Sequence, residues 1–256
     1  MTQATTPLPA PRTVLVGDLF SGIGGFSLAA HWMGWRTAWF SEIDPFACRV
    51  LAHHWPDVPN LGDITRIDWT TVAPVDVVTG GFPCQDISPA GRGAGITGAR
   101  SGLWGEIVRA VGVLRPRYVV VENSAMLLTR GLDVVLGDLC ALGYDAEWSV
   151  ISACAVGAAH VRERVYILAH ADAQYGAPGV RRAAPQAQRA LRPARSGARA
   201  GARPPAWVED PSAFYGGADG VPDRVDRNAA LGNSIVPQCA VEIFRTIDAM
   251  TAERAA

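Results

Sequence analysis

Between residue 13 and about residue 168, short apolar segments alternate with longer amphipathic ones, and this alternation constrains the fold more than any other feature. The short segments are rich in Val, Ile, Tyr and Trp, which predicts buried strands. The predicted strands are residues 14–20, 37–43, 75–79, 118–121, 147–151 and 165–169. The predicted helices between them are residues 24–33, 45–54, 101–114 and 132–142. Such alternation predicts an α/β fold, with a mostly parallel sheet and helices on both of its faces.

The ends of several predicted elements carry local signals. Asp44 precedes a proline and is a good helix cap, and Gly143 marks a good helix stop. Residues 235–250 are amphipathic and predict a last helix opened by Pro237. One more short strand is expected just before Gly62. In sheets of this kind ligands bind at the carboxyl ends of the strands, so the loops after the strands should carry the chemistry.

The composition excludes several classes of protein. With 256 residues, 49% hydrophobic and 18% charged, the chain suits one large globular domain with at most a small appendage. No apolar segment approaches the roughly 18 to 20 residues that a membrane span needs. Residues 1–12 lack the apolar stretch of a secretory signal, and the five scattered cysteines are typical of free thiols in a reducing compartment. We therefore expect a cytoplasmic protein.

Charge is distributed unevenly along the chain. There is no lysine, so all 23 basic residues are arginine. Seven of them lie in one stretch without any acidic residue: Arg181, Arg182, Arg189, Arg192, Arg195, Arg199 and Arg203. The other 16 arginines stand against 24 acidic residues, so the remainder of the chain is acidic. This asymmetry is consistent with a polyanionic partner, and equally with a solvated insert in a protein from a GC-rich genome.

Residues 18–26, DLFSGIGGF, form a glycine-rich turn at the end of the first predicted strand. Such a turn lets the backbone approach a ligand closely, beside the free N–H groups of the next helix. Glu42 ends the second strand, where a carboxylate can accept hydrogen bonds from ribose hydroxyls. Asp63 and Ile64 can bind an adenine amino group and cover its ring. These residues predict an adenosine pocket for a dinucleotide or a methyl donor, although the third glycine of the dinucleotide pattern is missing.

Residues 80–88, GGFPCQDIS, follow the predicted strand at 75–79, where a loop side chain would face the ligand. Cys84 is the only cysteine in a polar loop bounded by glycine and proline. Cys48 and Cys140 lie within apolar helical segments, where buried thiols are common. The loop of Cys84 resembles the Pro-Cys-Gln-x-x-Ser loop that carries the nucleophile of the DNA cytosine-5 methyltransferase family.

Four further segments resemble motifs of the same family, in the same order along the chain. They are residues 100–103 (RSGL), 121–124 (VENS), 160–164 (HVRER) and 231–238 (LGNSIVPQ). Ser124 stands where the family usually has valine and His160 where it usually has glutamine, but neither change removes a reacting group. The resemblance covers about residues 14–170 and 220–248.

The resemblance implies a Rossmann-like, S-adenosylmethionine-dependent methyltransferase fold and a division of the chain into four parts. Residues 1–12 would be a flexible N-terminus, and residues 13–170 the catalytic and cofactor-binding domain. Residues 171–219 would be a reduced, arginine-rich target-recognition or linker region, which is much longer in family members with a dedicated recognition domain. Residues 220–256 would be a C-terminal segment that returns to the catalytic domain.

The implied reaction is transfer of a methyl group from S-adenosylmethionine to carbon 5 of cytosine in double-stranded DNA. Cys84 would attack carbon 6 of a cytosine flipped out of the duplex, which activates carbon 5. Glu122 would hydrogen-bond to N3 of the ring. Arg164 would contact the cytosine O2 and the thiolate, with Arg162 as support, and Asn123 would hold the loops together.

The resemblance also implies which residues hold the methyl donor, and no metal site is expected. The implied cofactor-binding residues are Phe20, Ser21, Gly22, Ile23, Gly24, Gly25, Glu42, Ile43, Asp63, Ile64, Asn233 and Ser234. Double-stranded DNA with a target cytosine is the implied partner, and a cognate restriction endonuclease is a candidate second partner. We expect a monomer in a bacterial host or phage-infected cell.

Three other functions compete with this interpretation. One branch with the same motifs methylates tRNA cytosine, and the motifs do not separate the two substrates. A catalytically silent DNA- or cofactor-binding homologue would be expected to lack a key residue, whereas Cys84, Glu122 and Arg164 are all present. A nicotinamide-dependent oxidoreductase is disfavoured by the glycine spacing and by the Pro-Cys pair.

Overall fold

The structure is a computed structural model that describes residues 13–83, 102–171 and 233–253. The predictions for residues 1–12, for Cys84 and for the arginine-rich segment lie outside the described residues, and so do residues 220–232 and 254–256 of the predicted C-terminal segment. None of the helices in the described part combines the length and the apolar character needed to cross a membrane.

A six-stranded sheet forms the centre of the described chain. Its strands are β1 (Leu15–Leu19), β2 (Arg36–Ser41), β3 (Val77–Gly80), β4 (Tyr118–Ser124), β5 (Tyr144–Ser152) and β6 (Glu163–Ala171). Their order in the sheet is β2-β1-β3-β4-β6-β5. β1 pairs in parallel with β2 and β3, and β3 pairs in parallel with β4. β6 is antiparallel to both β4 and β5, so five strands point one way and one points the other. The predicted mostly parallel sheet is confirmed.

Helices connect the strands as the sequence pattern predicts. They are α1 (Gly25–Trp32), α2 (Pro45–His54), α3 (Leu103–Leu114), α4 (Leu132–Ala141) and α5 (Pro237–Glu253). Short 3-10 helices lie at Ile64–Arg66, Trp69–Thr71, Ala125–Thr129 and Ala153–Val156. Asp44 caps α2 as predicted, because its carboxylate accepts a hydrogen bond from the N–H of Ala47 at 2.8 Å. Gly143, just past α4, has a positive φ of 84°, which is typical of a helix stop.

Strand lengths differ from the sequence prediction in two ways. β4 continues to Ser124, β5 begins three residues before its predicted start, and β6 extends two residues beyond its prediction at each end. The antiparallel ladders explain these extensions, since the backbone pairs β6 with both neighbours whatever the side chains at the strand ends. The short strand expected before Gly62 is reduced to one bridge between Phe40 and Asn60.

The sheet buries a hydrophobic core on each face. Val119 and Val121 of β4 join one cluster with α3 and α4, whereas Tyr118 and Val120 join the other cluster with α1 and α5. This division follows the alternation of side chains along a strand. The predicted placement of helices on both faces is confirmed.

Cysteine burial departs from the prediction at one position. Cys140 is exposed although it lies in α4, and Cys48 is half-buried. The buried stripe of α4 consists of Leu132, Val135 and Leu139. Cys140 follows Leu139 and is therefore rotated about 100° around the helix, away from that stripe.

We predict that Phe244→Ala destabilises the fold by about 3 to 5 kcal/mol, because it leaves a cavity where α5 packs on α1. The Phe244 side chain is fully buried, and its ring lies 4.6 Å from that of Trp35 and 6.2 Å from that of Phe26. Urea denaturation followed by tryptophan fluorescence measures the change. Arg245→Ala, at the next and exposed position, is the control and should leave the midpoint nearly unchanged. Equal midpoints for the two variants would contradict this account of α5.

Candidate active site

The candidate site lies at one edge of the sheet, where the carboxyl ends of the parallel strands meet the beginning of β6. Leu19 of β1 lies beside Gly80 of β3, and Gly80 lies beside Val121 of β4. Ser124 at the end of β4 lies opposite Arg164 near the start of β6. The antiparallel direction of β6 therefore brings its first residues to the edge at which ligands of such sheets bind.

Glu122 is a buried carboxyl group at this edge. It is 8% exposed, and its Oε1 lies 3.1 Å from Nε of Arg164. Burial raises the pKa of Glu122 to about 7, although the positive charges of Arg164 and Arg162 act in the opposite direction. Because burial is the larger influence, the group can hold a proton near neutral pH.

Arg162 connects β6 to the segment before α5. Its Nη2 donates a hydrogen bond to the carbonyl oxygen of Ser234 at 2.9 Å. The neighbouring residue Ile235 approaches two glycines, because a Cβ added at Gly25 would lie 2.8 Å from the Ile235 carbonyl oxygen and one at Gly81 would lie 3.6 Å from its Cδ1. This segment thus contacts both the glycine-rich turn and the strand end that leads to Cys84, while Asn233 is exposed.

The approach to the Cys84 loop is fixed from two sides. Asn123 Nδ2 donates a hydrogen bond to the carbonyl oxygen of Phe82 at 3.0 Å, which agrees with the loop-holding role expected for Asn123. Phe82 is buried, and its ring lies 5.5 Å from that of Trp104 on α3. Gly81 lies close to the carboxyl group of Glu122, since an added Cβ would be 3.1 Å from its Oε2. A larger residue at this position would displace that carboxyl group.

The glycine-rich turn leaves β1 in an unusual backbone conformation. Phe20 has a φ of 51°, in the left-handed region that residues other than glycine rarely adopt. Gly24 has a φ of 86° and caps α1, and a Cβ there would lie 2.6 Å from the ring of Trp55. Ser21 stabilises the turn, because its hydroxyl donates to the Asp18 carbonyl and its own carbonyl accepts from Gly24.

Sequence reasoning missed the role of the Asp18 side chain. It is 1% exposed, and its carboxylate accepts hydrogen bonds from the Thr79 hydroxyl at 2.7 Å and from the Ser27 hydroxyl at 2.9 Å. Burial raises the pKa of Asp18 to about 7, against the effect of these two hydroxyls. The network ties β1 to β3 and α1. An acidic residue inside an otherwise apolar strand is the signal that could have indicated it.

Glu42 is held at the end of β2 by backbone donors. Its Oε2 accepts a hydrogen bond from the N–H of Gly22 at 2.7 Å, which joins it to the glycine-rich turn. Its Oε1 accepts from the N–H groups of Ile43 and Asp44, each at 2.8 Å. The Ile43 side chain is 68% exposed beside it. Glu42 is therefore fixed next to the turn, as a ribose-binding carboxylate would need to be.

Asp63 and Ile64 lie at a 3-10 turn on the same side of β1 as β2. Asp63 Oδ1 accepts hydrogen bonds from the backbone N–H and the hydroxyl of Thr65, which lower the pKa of Asp63. Ile64 is 4% exposed and packs into the core with Trp69, so most of its surface contacts protein. A hydrogen bond from the Ser41 hydroxyl to the Gly62 carbonyl joins this turn to the end of β2.

Comparison with known proteins gives three findings. Residues 14–192 match the model of a protein family described as C-5 cytosine-specific DNA methylase. The Type II methyltransferase M1.ScrFI of Lactococcus lactis subsp. cremoris is 36% identical over 156 residues, which are 59% of this chain and 40% of that protein. M.NgoBI of Neisseria gonorrhoeae is 35% identical over 159 residues, which are 60% of this chain and 50% of that protein.

The fold is similar to that of solved methyltransferases. A protein from an E. coli prophage, described as a DNA modification methyltransferase, superposes with a TM-score of 0.53 at 25% identity. The superposition covers 62% of this chain and 47% of the other. This chain thus spans about half or less of the length of the relatives to which it is similar.

We predict that the contribution of Asp18 to the stability of the protein falls as the pH rises from about 4 to about 7. An aspartate has a pKa of about 4 in an unfolded chain, so in this range the folded Asp18 holds a proton that the unfolded one has lost, at about 1.4 kcal/mol per pH unit. Glu122 contributes in the same direction. Asp18→Asn should therefore make the decline shallower in urea denaturation at a series of pH values. Asp133→Asn, exposed on α4, is the control and should keep the wild-type slope. An unchanged slope in the Asp18 variant would argue against a buried proton.

Proposed function

We propose that this chain, which belongs to the C-5 cytosine-specific DNA methylase family, transfers a methyl group from S-adenosylmethionine to carbon 5 of a cytosine in double-stranded DNA. The observation that carries the proposal is Glu122, a buried carboxyl group that can hold a proton near pH 7 and lies one residue away from Asn123, which anchors the Cys84 loop. That arrangement suits the binding of a pyrimidine ring at the sheet edge.

The residues of the first two strand ends fit the methyl donor. Glu42 offers a carboxylate that backbone N–H groups hold in place. The glycines of the turn at residues 21–25 allow a ligand to approach the backbone closely. Ser234 directly precedes Ile235, whose carbonyl oxygen lies close to Gly25 of this turn. This position suits a role of Ser234 in closing the site. When bound, S-adenosylmethionine supplies an electrophilic methyl group on a sulfonium.

We assign Cys84 as the nucleophile. Carbon 5 of cytosine is too weak a nucleophile to take the methyl group unaided, so the thiolate attacks carbon 6 and forms a carbon–sulfur bond. The electron pair of the ring double bond then becomes available at carbon 5 for the new carbon–carbon bond, which would form as the bond between the methyl group and the sulfonium sulfur breaks. Loss of the proton from carbon 5 restores the double bond and expels the Cys84 thiolate.

Glu122 holds the proton that this attack requires. Negative charge develops on the ring as the thiolate adds, and a proton donated from Glu122 to N3 offsets it. A pKa of about 7 keeps a large share of Glu122 protonated near neutral pH. An exposed glutamic acid, with a pKa of about 4, would have lost this proton almost completely.

We assign Arg164 of β6 to positioning the base and the thiolate, and Arg162, just before β6, to supporting it. Arg164 contacts Glu122 through Nε, which places its guanidinium group beside the proposed ring site, where we expect it to reach the cytosine O2 and the thiolate. Arg162 holds the segment before α5 through the Ser234 carbonyl. In this proposal Arg162 supports the site rather than contacting the base.

A stacked and paired cytosine cannot reach a site at a sheet edge, so the target base must be flipped out of the duplex. Flipping costs a few kcal/mol, which contacts with phosphates can offset. The arginine-rich segment lies outside the described residues, and on its charge alone we propose it as the part of the chain that contacts the DNA backbone.

The cellular setting is proposed from the relatives. M1.ScrFI and M.NgoBI are both named Type II methyltransferases of bacteria. We infer that this protein acts in a bacterial or phage-infected cytoplasm, with a cognate restriction endonuclease as a candidate partner.

We predict that Cys84→Ser abolishes turnover and leaves S-adenosylhomocysteine binding within about twofold of wild type, because the serine hydroxyl is a far weaker nucleophile. Glu122→Gln should lower kcat by at least about 100-fold. Incubation with tritiated S-adenosylmethionine and either duplex DNA or tRNA measures the turnover of both variants. Methyl transfer to tRNA alone would assign the tRNA function, and transfer to neither by the wild type would favour a silent homologue.

We predict that reversing the charge of Arg181, Arg182 and Arg189 to glutamate weakens duplex binding and flattens its dependence on salt, since fewer phosphate contacts release fewer counterions. Fluorescence anisotropy with a labelled duplex at several salt concentrations gives both quantities. The matched control reverses Arg36, Arg49 and Arg66, which lie outside the basic segment. Equal effects of the two triple variants on duplex binding would indicate that the arginine-rich segment is a linker that does not contact the DNA.

A further inference from the structure

Arg109 of α3 makes an unusual set of contacts for a half-exposed side chain. Its Nη2 donates a hydrogen bond to the carbonyl oxygen of Ile64 at 2.7 Å, and its Nη1 donates to that of Ile67 at 2.9 Å. Glu106, one turn earlier on α3, accepts from its Nε at 2.7 Å and fixes the guanidinium plane. All three nitrogens of the guanidinium group are therefore engaged, two of them by one short backbone segment.

That segment is the turn of Asp63 and Ile64, the residues expected to meet the adenine. On its N-terminal side it is joined to β2 by the Ser41 hydroxyl at Gly62 and by backbone pairing at Leu61. Beyond Gly62 it leaves the sheet and continues as a 3-10 helix, Ile64–Arg66, a conformation with weaker internal hydrogen bonds than an α-helix. The side chain of Ile64 anchors this turn in the core, and a fork of two hydrogen bonds from α3 holds its backbone carbonyls.

We infer that Arg109 is a positioning residue for the binding of the methyl donor. It holds Asp63 and Ile64 in the position that binds the adenine, and it does not itself contact the adenine. This inference rests on the proposed function for the identity of the ligand. The two carbonyls at Ile64 and Ile67 face one planar fork, a geometry that a guanidinium group fills completely and an ammonium group fills only in part. The contact also links the adenine side of the site to α3, the helix that follows the segment containing Cys84.

The chain offers a matched control on the same helix. Arg115, at the end of α3, donates from Nη1 to the Leu142 carbonyl at 2.6 Å and lies over the ring of Tyr144. It resembles Arg109, which also contacts carbonyl groups and lies 6.0 Å from the ring of Trp69. Removing Arg115 should therefore disturb the protein to a similar degree, but away from the turn of Asp63.

The test compares Arg109→Met, Arg109→Lys and Arg115→Met in the full chain. Isothermal titration calorimetry with S-adenosylhomocysteine, in the absence of DNA, measures binding alone. We expect Arg109→Met to weaken this binding about tenfold, from the loss of two hydrogen bonds that order the turn. Arg109→Lys should recover part of the affinity, and Arg115→Met should bind as the wild type does.

Kinetics with duplex DNA distinguish positioning from general damage. Arg109→Met should raise the KM for S-adenosylmethionine about tenfold and change kcat less than about twofold, because the chemical groups stay in place. Equal effects of Arg109→Met and Arg115→Met, or wild-type affinity in Arg109→Met, would overturn the inference. A wild-type protein that binds S-adenosylhomocysteine but methylates no DNA would refute the proposed function and leave the calorimetric test of Arg109 intact.

Discussion

The antiparallel pairing of β6 with β4 is the constraint on which the rest of the site depends. Because β6 runs against β4, its first residues lie beside the last residues of β4, and Arg164 stands opposite Ser124. In a parallel strand the same arginine would lie at the opposite end of β4, about 20 Å away across the seven residues that pair with β6. The reversal therefore brings a cation to Glu122 without any contribution from a loop.

Two carboxyl groups are buried at this edge, and their partners give them different roles. Asp18 is held by the hydroxyls of Thr79 and Ser27, which are neutral donors that join three elements of the fold. Glu122 is held by Arg164, whose positive charge partly compensates for burial. A proton on Asp18 is thus part of the packing of the sheet, whereas a proton on Glu122 lies where a ligand could receive it.

The sequence was enough to predict the α/β class, the helices on both faces and the cap at Asp44, because each follows from periodicity or from one neighbouring residue. It did not predict the direction of β6, since alternation along a strand is the same in parallel and antiparallel pairs. Nor did it predict the contact of Asp18 with Thr79, 61 residues away, or that of Arg109 with Ile64, 45 residues away. Contacts over such distances depend on how the elements pack.

The aliphatic residue Ile64 shows a second limit. Its type and position suit a cover for an adenine ring, and they equally suit the core in which the side chain is almost completely buried. Cys140 shows the same ambiguity in a helix, where one residue of rotation separates the buried stripe from solvent. Local pattern sets the kind of environment a residue prefers, and the packed neighbours decide which surface it meets.

The late position of α5 and of the segment before it has a consequence for the order in which the protein folds during synthesis. Ile235 lies against Gly25 and Gly81, and Phe244 fills the core between α1 and the sheet, yet these residues are synthesised after all six strands of the described part of the chain. Until they arrive, Val16 of β1 and Phe26 of α1 lack the apolar cover that α5 provides. Docking of α5 therefore completes the burial of this face of the sheet only after the six described strands have been synthesised.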